Sequence, residues 1–132
     1  MPTTGSPIGA GTQDSKTARI AAWTFAAAIV ILSLVPPTMR PETSAPHNLE
    51  HLIIYAVTGF AFGLGYKRRR YLLAVLLVIF SSGIEIAQLF VSGRHSRLSD
   101  LIIDAGAACI GLVTSSLIDL ARVRINNLSC HR

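Results

Sequence analysis

Residues 67–91 read KRRRYLLAVLLVIFSSGIEIAQLFV, four consecutive basic side chains followed by a long run in which Glu85 is the sole charged residue. From Tyr71 to Val91 the run is long enough, at about 1.5 Å per residue, to cross the roughly 30 Å of hydrocarbon in a bilayer. Leu72 to Val78 leave no polar side for water to meet. A soluble helix would need such a side, so lipid is the solvent this segment fits. The basic cluster then marks the end that stays at the membrane surface.

Three further runs of this kind flank it. Ile20 to Val35 follows Lys16 and Arg19 and is closed by Pro36 and Pro37, which cannot continue a helix. Asn48 to Tyr66 leads into the basic cluster, and Leu101 to Ala121 precedes Arg122, Arg124 and Arg132. The chain of 132 residues, 51% hydrophobic and 14% charged, has room for little else. The fold expected is all-α, a polytopic transmembrane bundle of four helices spanning 18–121. Residues 1–17, rich in Gly, Ser, Thr and Pro, read as a disordered cytoplasmic leader. Residues 122–132 read as a basic cytoplasmic tail. The first span is longer than the apolar core of a typical signal peptide, and Thr43-Ser44-Ala45 with Pro46 behind it is a weak cleavage site, so retention is expected.

Charge sets the orientation. Nine of the twelve Lys and Arg residues fall before the first span, between the second and third, or after the fourth, and an even number of spans puts all three regions on one side. Short positively charged loops stay in the cytoplasm, so both termini are expected inside. Arg40, Arg94 and Arg97 are the exceptions. Although the net charge is +5, the basic residues sit at span ends and build no aromatic-bearing surface, which argues against a nucleic-acid partner. Cys109 lies mid-span and Cys130 in the basic tail, a pattern of free thiols rather than a disulfide scaffold. No spacing resembles a metal site, and no cofactor is implied.

Polar residues inside the spans are the functional signal. His51 and Tyr55 open the second span, Glu85 and Gln88 lie near the end of the third, and Asp100 and Asp104 begin the fourth. Each pair is three or four residues apart and shares a helix face. On the orientation above, all six converge towards the outer leaflet, with Arg94 in the loop between the last two spans. Glu85 lies roughly 9 Å below the boundary at the helical rise. An acid there costs on the order of 2.5 to 3.5 kcal/mol on insertion scales, so it is expected to face the interior, paired with Arg94 or His51. Asp100 and Asp104 are expected on the rim of the same cavity. Structural readings stand beside this one. Asp100 suits a helix N-terminus, Glu85 could pair with Arg94 to fix the bundle, and Ser81 and Ser82 could satisfy backbone carbonyls. Asp119 and Glu42 read as solvated end charges. Gly59 and Gly63 form a small-xxx-small pair for close helix approach.

At these residues the sequence resembles the VanZ-like family of bacterial membrane proteins, whose founder is associated with teicoplanin resistance. The resemblance runs from about Asn48 to Gly111. It rests on His51 and Tyr55 four apart, Glu85-Ile86-Ala87-Gln88, Phe90 followed by Gly93-Arg94, and Asp100 six residues beyond that arginine. Where the family commonly has aspartate this chain has His47, where it has asparagine this chain has Asp104, and where it has glycine this chain has Ala107. The resemblance implies the bacterial cytoplasmic membrane and a cell-envelope role, with no fixed reaction. Two readings follow. In one, His51, Tyr55, Glu85, Gln88, Arg94, Asp100 and Asp104 line a pocket for a lipid-linked or peptide-bearing envelope component, and Glu85 or His51 is the candidate catalytic base if the protein is an enzyme. In the other, the cluster holds the helices together in a non-catalytic scaffold that docks a partner or a second copy. A four-span transporter is a weaker third, without repeat or broken helix.

Overall fold

The computed structural model describes residues 15–35, 39, 47–91 and 98–130. Among them the chain forms four α-helices and no strand: α1 (Lys16–Leu34), α2 (His47–Gly65), α3 (Arg70–Gln88) and α4 (Leu98–Cys130), with a single 3-10 turn at Lys67–Arg69. The leader expected over residues 1–17 lies almost wholly outside the described residues. So does the loop that carries Arg94.

Local chemistry sets the helix ends. Ser15 caps α1 by accepting the Ala18 N–H at 3.2 Å, one of the donors an N-terminus leaves unpaired. Its last turn closes with the Val35 N–H on the Ile31 carbonyl, and Pro36 follows. The third span was expected to reach Val91, yet α3 ends at Gln88. Leu89, Phe90 and Val91 donate to carbonyls three residues back, the tighter winding with which helices often finish. The fourth span was expected to stop at Ala121, and α4 instead continues to Cys130. No Gly or Pro lies between Gly111 and Cys130 to break it. The extra turns are exposed and extend about 13 Å at the helical rise.

Three elements, Lys16–Leu34, Lys67–Gln88 and Leu98–Ser129, are long and apolar enough to cross a membrane. The apolar part of α2, Leu49–Gly65, is shorter. It can be, because α2 is the central helix: it packs most extensively on α4 and next on α1, while α3 lies mainly against α4. Buried positions on the outer helices fall on narrow stripes, such as Ala22, Ala26, Ile29 and Ser33 on α1. Large apolar side chains cover the rest, including Ile31, Ile79, Ile110 and Leu117. Such a surface has no place in water, and the chain is a polytopic helical membrane protein.

The α2–α4 contact is made by small residues. A Cβ placed on Gly59 would collide with the Ala108 carbonyl, one on Gly63 with the Ser115 hydroxyl, and one on Gly111 with the Ala56 carbonyl. The small pair read from the sequence therefore meets α4, which answers with a glycine of its own. Because position 51 faces 104, 59 faces 108 and 63 faces 115, the two helices run parallel. With α1 and α3 running the other way, this is an up-down-up-down bundle.

Asp119 is not the solvated end charge that its position suggested. It accepts from Lys67 Nζ at 3.0 Å and from Arg70, and its side chain is 17% exposed. Arg70 also reaches towards the Gly63 carbonyl. The basic cluster thus folds back on α4. On the other flank, Arg19 donates Nε–H to the Gly65 carbonyl at 2.8 Å, with its guanidinium 4.5 Å from the Tyr66 ring centre. Gly65 is needed there, since a side chain would press on the Arg19 stem and backbone.

Candidate functional site

The polar residues gather at the end of the bundle where α2 and α4 begin and α3 finishes. On α2, His51, Tyr55, Gly59 and Gly63 lie four apart on one inclined ridge, and all four are buried. The polar half of that ridge belongs to the site and the glycine half to the helix contact. On α3, the buried stripe Leu73, Leu77, Ser81, Ile84, Glu85 and Gln88 carries both polar groups of the Glu-x-x-Gln segment inward. On α4, Asp104, Ala108, Gly111 and Ser115 form the row docked on α2.

His51 Nδ1 lies 3.1 Å and 3.2 Å from the two carboxylate oxygens of Asp104. An ionised carboxylate only accepts, so Nδ1 carries the proton, and in the neutral ring Nε2 is then the basic nitrogen. His51 stacks on Tyr55, ring centres 6.1 Å apart, and Tyr55 packs in turn against Phe80 of α3. The Tyr55 hydroxyl lies beside the carboxylates of Asp104 and Glu85, within their electrostatic reach. Gln88 Nε2 has no hydrogen-bond partner among the described residues, and both it and the Tyr55 hydroxyl are buried. Asp104, expected on the rim, has no exposed surface at all. The helix starts at Leu98, so Asp104 lies more than a full turn inside it on the face that docks on α2.

Of the seven residues singled out from the sequence, the structure brings His51, Tyr55, Glu85 and Asp104 together and buries Gln88 one turn beyond Glu85 on the same stripe. Asp100 is half-buried in the first turn of α4, where it suits the positive end of the helix and accepts from the Ser99 hydroxyl at 3.1 Å. Arg94 lies outside the described residues. Among the described residues three buried polar ones escaped the sequence reading, Ser33, Thr58 and Ser115, and the one on the helix face of His51 and Tyr55 is Thr58, which donates to the Ile54 carbonyl at 2.6 Å. Its spacing of seven from His51 and three from Tyr55 was the available signal. Ser81 and Ser82 satisfy the carbonyls of Leu77 and Val78, as expected. Among the described residues no group of three or more His, Cys, Asp or Glu side chains is arranged to hold a metal ion.

Four apolar helices, three of them contributing to a buried polar cluster at one end, define a small helical membrane protein with polar groups inside its bundle. A family model places it further: residues 7–119 match that of VanZ/LLP1, and the chain belongs to this family. The match takes in the first span as well as the stretch on which the resemblance rested. No curated protein and no solved structure matches the chain.

Proposed function

We propose that this VanZ-family protein lies in the bacterial cytoplasmic membrane with both termini inside, and that its polar centre binds or acts on a cell-envelope component presented in the outer leaflet. The observation that carries this reading is Gln88 Nε2, a buried amide nitrogen without a hydrogen-bond partner among the described residues, on the same inward stripe of α3 that brings Glu85 towards Tyr55. Buried polar groups are nearly always bonded, so a donor left open by the protein is a place where an acceptor of a guest can bind. A lipid-linked or peptide-bearing molecule has the amides, hydroxyls and phosphates to do so. Arg94, in the adjoining loop, is the residue suited to a phosphate or carboxylate through its planar fork. If chemistry follows binding, His51, oriented by Asp104, or Glu85 is the base. A change in glycopeptide sensitivity is one phenotype this role could produce.

A specific observation favours a second reading: the His51–Asp104 pair links α2 to α4 and would serve a scaffold equally well. Two variants separate them. Glu85→Gln keeps the shape and removes the charge, while Arg94→Lys keeps the charge and loses the fork. Both proteins are expected to accumulate at wild-type levels. Neither should restore the lipid and peptidoglycan-precursor profile of cells lacking the gene, nor their antibiotic sensitivity. Full restoration by both would hand the lead to the scaffold.

The orientation has its own test. The nine inward basic residues support a cytoplasmic C-terminus, so a reporter fused after Arg132 should be active only inside the cell. A cysteine at Ser96 should react with an impermeant reagent in intact cells. Labelling only after lysis would reverse the topology.

A further inference from the structure

With its mouth at the opposite end of the bundle from the polar centre, a groove of about 360 Å³ runs between α1 and α3 over the floor of α2. Ala26, Leu73, Leu76 and Phe80 are among its apolar lining residues, and its wall ends at Trp23, Tyr66 and Arg69. The Trp23 indole N–H donates to the Tyr66 hydroxyl at 3.1 Å, so these two polar tips satisfy each other. Trp and Tyr concentrate at headgroup depth, which places the mouth of the groove there. From Arg70 to Phe80 the α3 wall rises about 15 Å into the hydrocarbon. The groove therefore has the direction of a lipid chain.

Apolar shape alone cannot select an occupant, because lipid tails are as apolar as the leucines that line the groove. The selection has to come from the mouth. Arg69 is exposed there and forms no ion pair among the described residues, whereas the nearby Lys67 and Arg70 are held by Asp119. Arg68 and Arg19 add positive charge around it. We propose that the groove seats one acyl chain of an anionic phospholipid whose phosphate is bound by the Arg69 guanidinium. The leaflet is the cytoplasmic one on the orientation given above. The guanidinium fork suits a phosphate, and a lipid without net charge gains less from the surrounding field.

Trp23 is the only tryptophan in the chain and lines the groove, so its fluorescence reads the occupant directly. The full-length protein is reconstituted in bilayers mixing phosphatidylglycerol with phosphatidylcholine, with bromine on the chains of one lipid or the other as quencher. Brominated phosphatidylglycerol should quench as though favoured about fivefold, the factor that one basic side chain near an anionic lipid supplies. Arg69→Gln should bring the preference close to one. Arg68→Gln, which alters a residue outside the groove lining, should keep most of it. Leu76→Phe, which narrows the groove from a half-exposed position, should weaken quenching by both lipids. Equal quenching by the two lipids in the wild type would overturn the proposal. So would a preference that survives Arg69→Gln, which would point to the general basic surface, or absence of quenching by either lipid, which would mean that another helix covers the groove.

Discussion

Gly111→Ala is expected to destabilise the protein by about 3 kcal/mol, the upper end of the usual cost of overpacking. The added methyl meets the Ala56 carbonyl and the Phe60 backbone nitrogen. Backbone cannot swing aside as the tip of a side chain can, so α2 and α4 must separate. That separation loosens Gly59 against Ala108 and Gly63 against Ser115 as well. Gly106, five residues earlier on the same helix, is the control: nothing lies within 4 Å of a Cβ built there. Gly106→Ala should leave the unfolding midpoint unchanged or raise it slightly, since alanine is the better helix former. The two variants are compared by thermal unfolding in detergent and by steady-state abundance in membranes, where a loss of this size lowers the level several-fold. Equal behaviour of the two would mean that the close α2–α4 contact is not present in the folded protein.

A comparable loss is expected from Asp104→Ala. It takes the acceptor away from the Nδ1–H of His51, which is 6% exposed, and leaving a buried donor unsatisfied typically costs about 1–3 kcal/mol, to which the cavity left by the carboxylate adds. The double variant His51→Leu with Asp104→Leu removes both polar groups and should recover much of that stability, because a buried pair is seldom better than apolar packing of similar volume. Function should not return with it. This separates the two roles the pair could have: a stable but inactive double variant assigns His51 and Asp104 to the site, whereas a stable and active one leaves them only the task of joining helices. Asp104→Asn adds a finer reading. It retains the shape and an acceptor for Nδ1–H but removes the charge, so its stability should fall between wild type and Asp104→Ala.

The span pattern was legible because lipid solvation writes itself into residue counts. Long apolar runs with few charges, the third with Glu85 alone, closed by Pro36-Pro37 or by the 67–70 cluster, leave no other fold. The inward faces of α2 and α3 were legible for a related reason: in a helix that is apolar all round, His51, Tyr55, Glu85 and Gln88 are the marks that tell inside from outside. What could not be read was partnership. Gly59 and Gly63 announce a close contact without naming the helix that makes it, and the parallel approach of α4 is a property of the assembled bundle. The depth of Asp104 and the ion pairs of Asp119 were missed together for this reason. Both sit on the α4 face that meets α2, and position along the sequence alone put them at the edge. The run of α4 beyond Ala121 was hidden because hydropathy ends a span where the lipid ends, while a helix continues until its backbone meets a breaker.

Polar contacts close the α2–α4 pairing at both ends, His51 with Asp104 at one and Lys67, in the turn that follows α2, with Asp119 at the other, and the glycine contacts fill the length between them. Sliding either helix by one turn would break all of these at once. The two therefore act as a single fixed post. Of the helices around that post, α3 touches α2 least, and it is α3 that carries Glu85 and Gln88. On the binding reading proposed above, room for a guest would be made by a small tilt of α3 and not by any parting of the post.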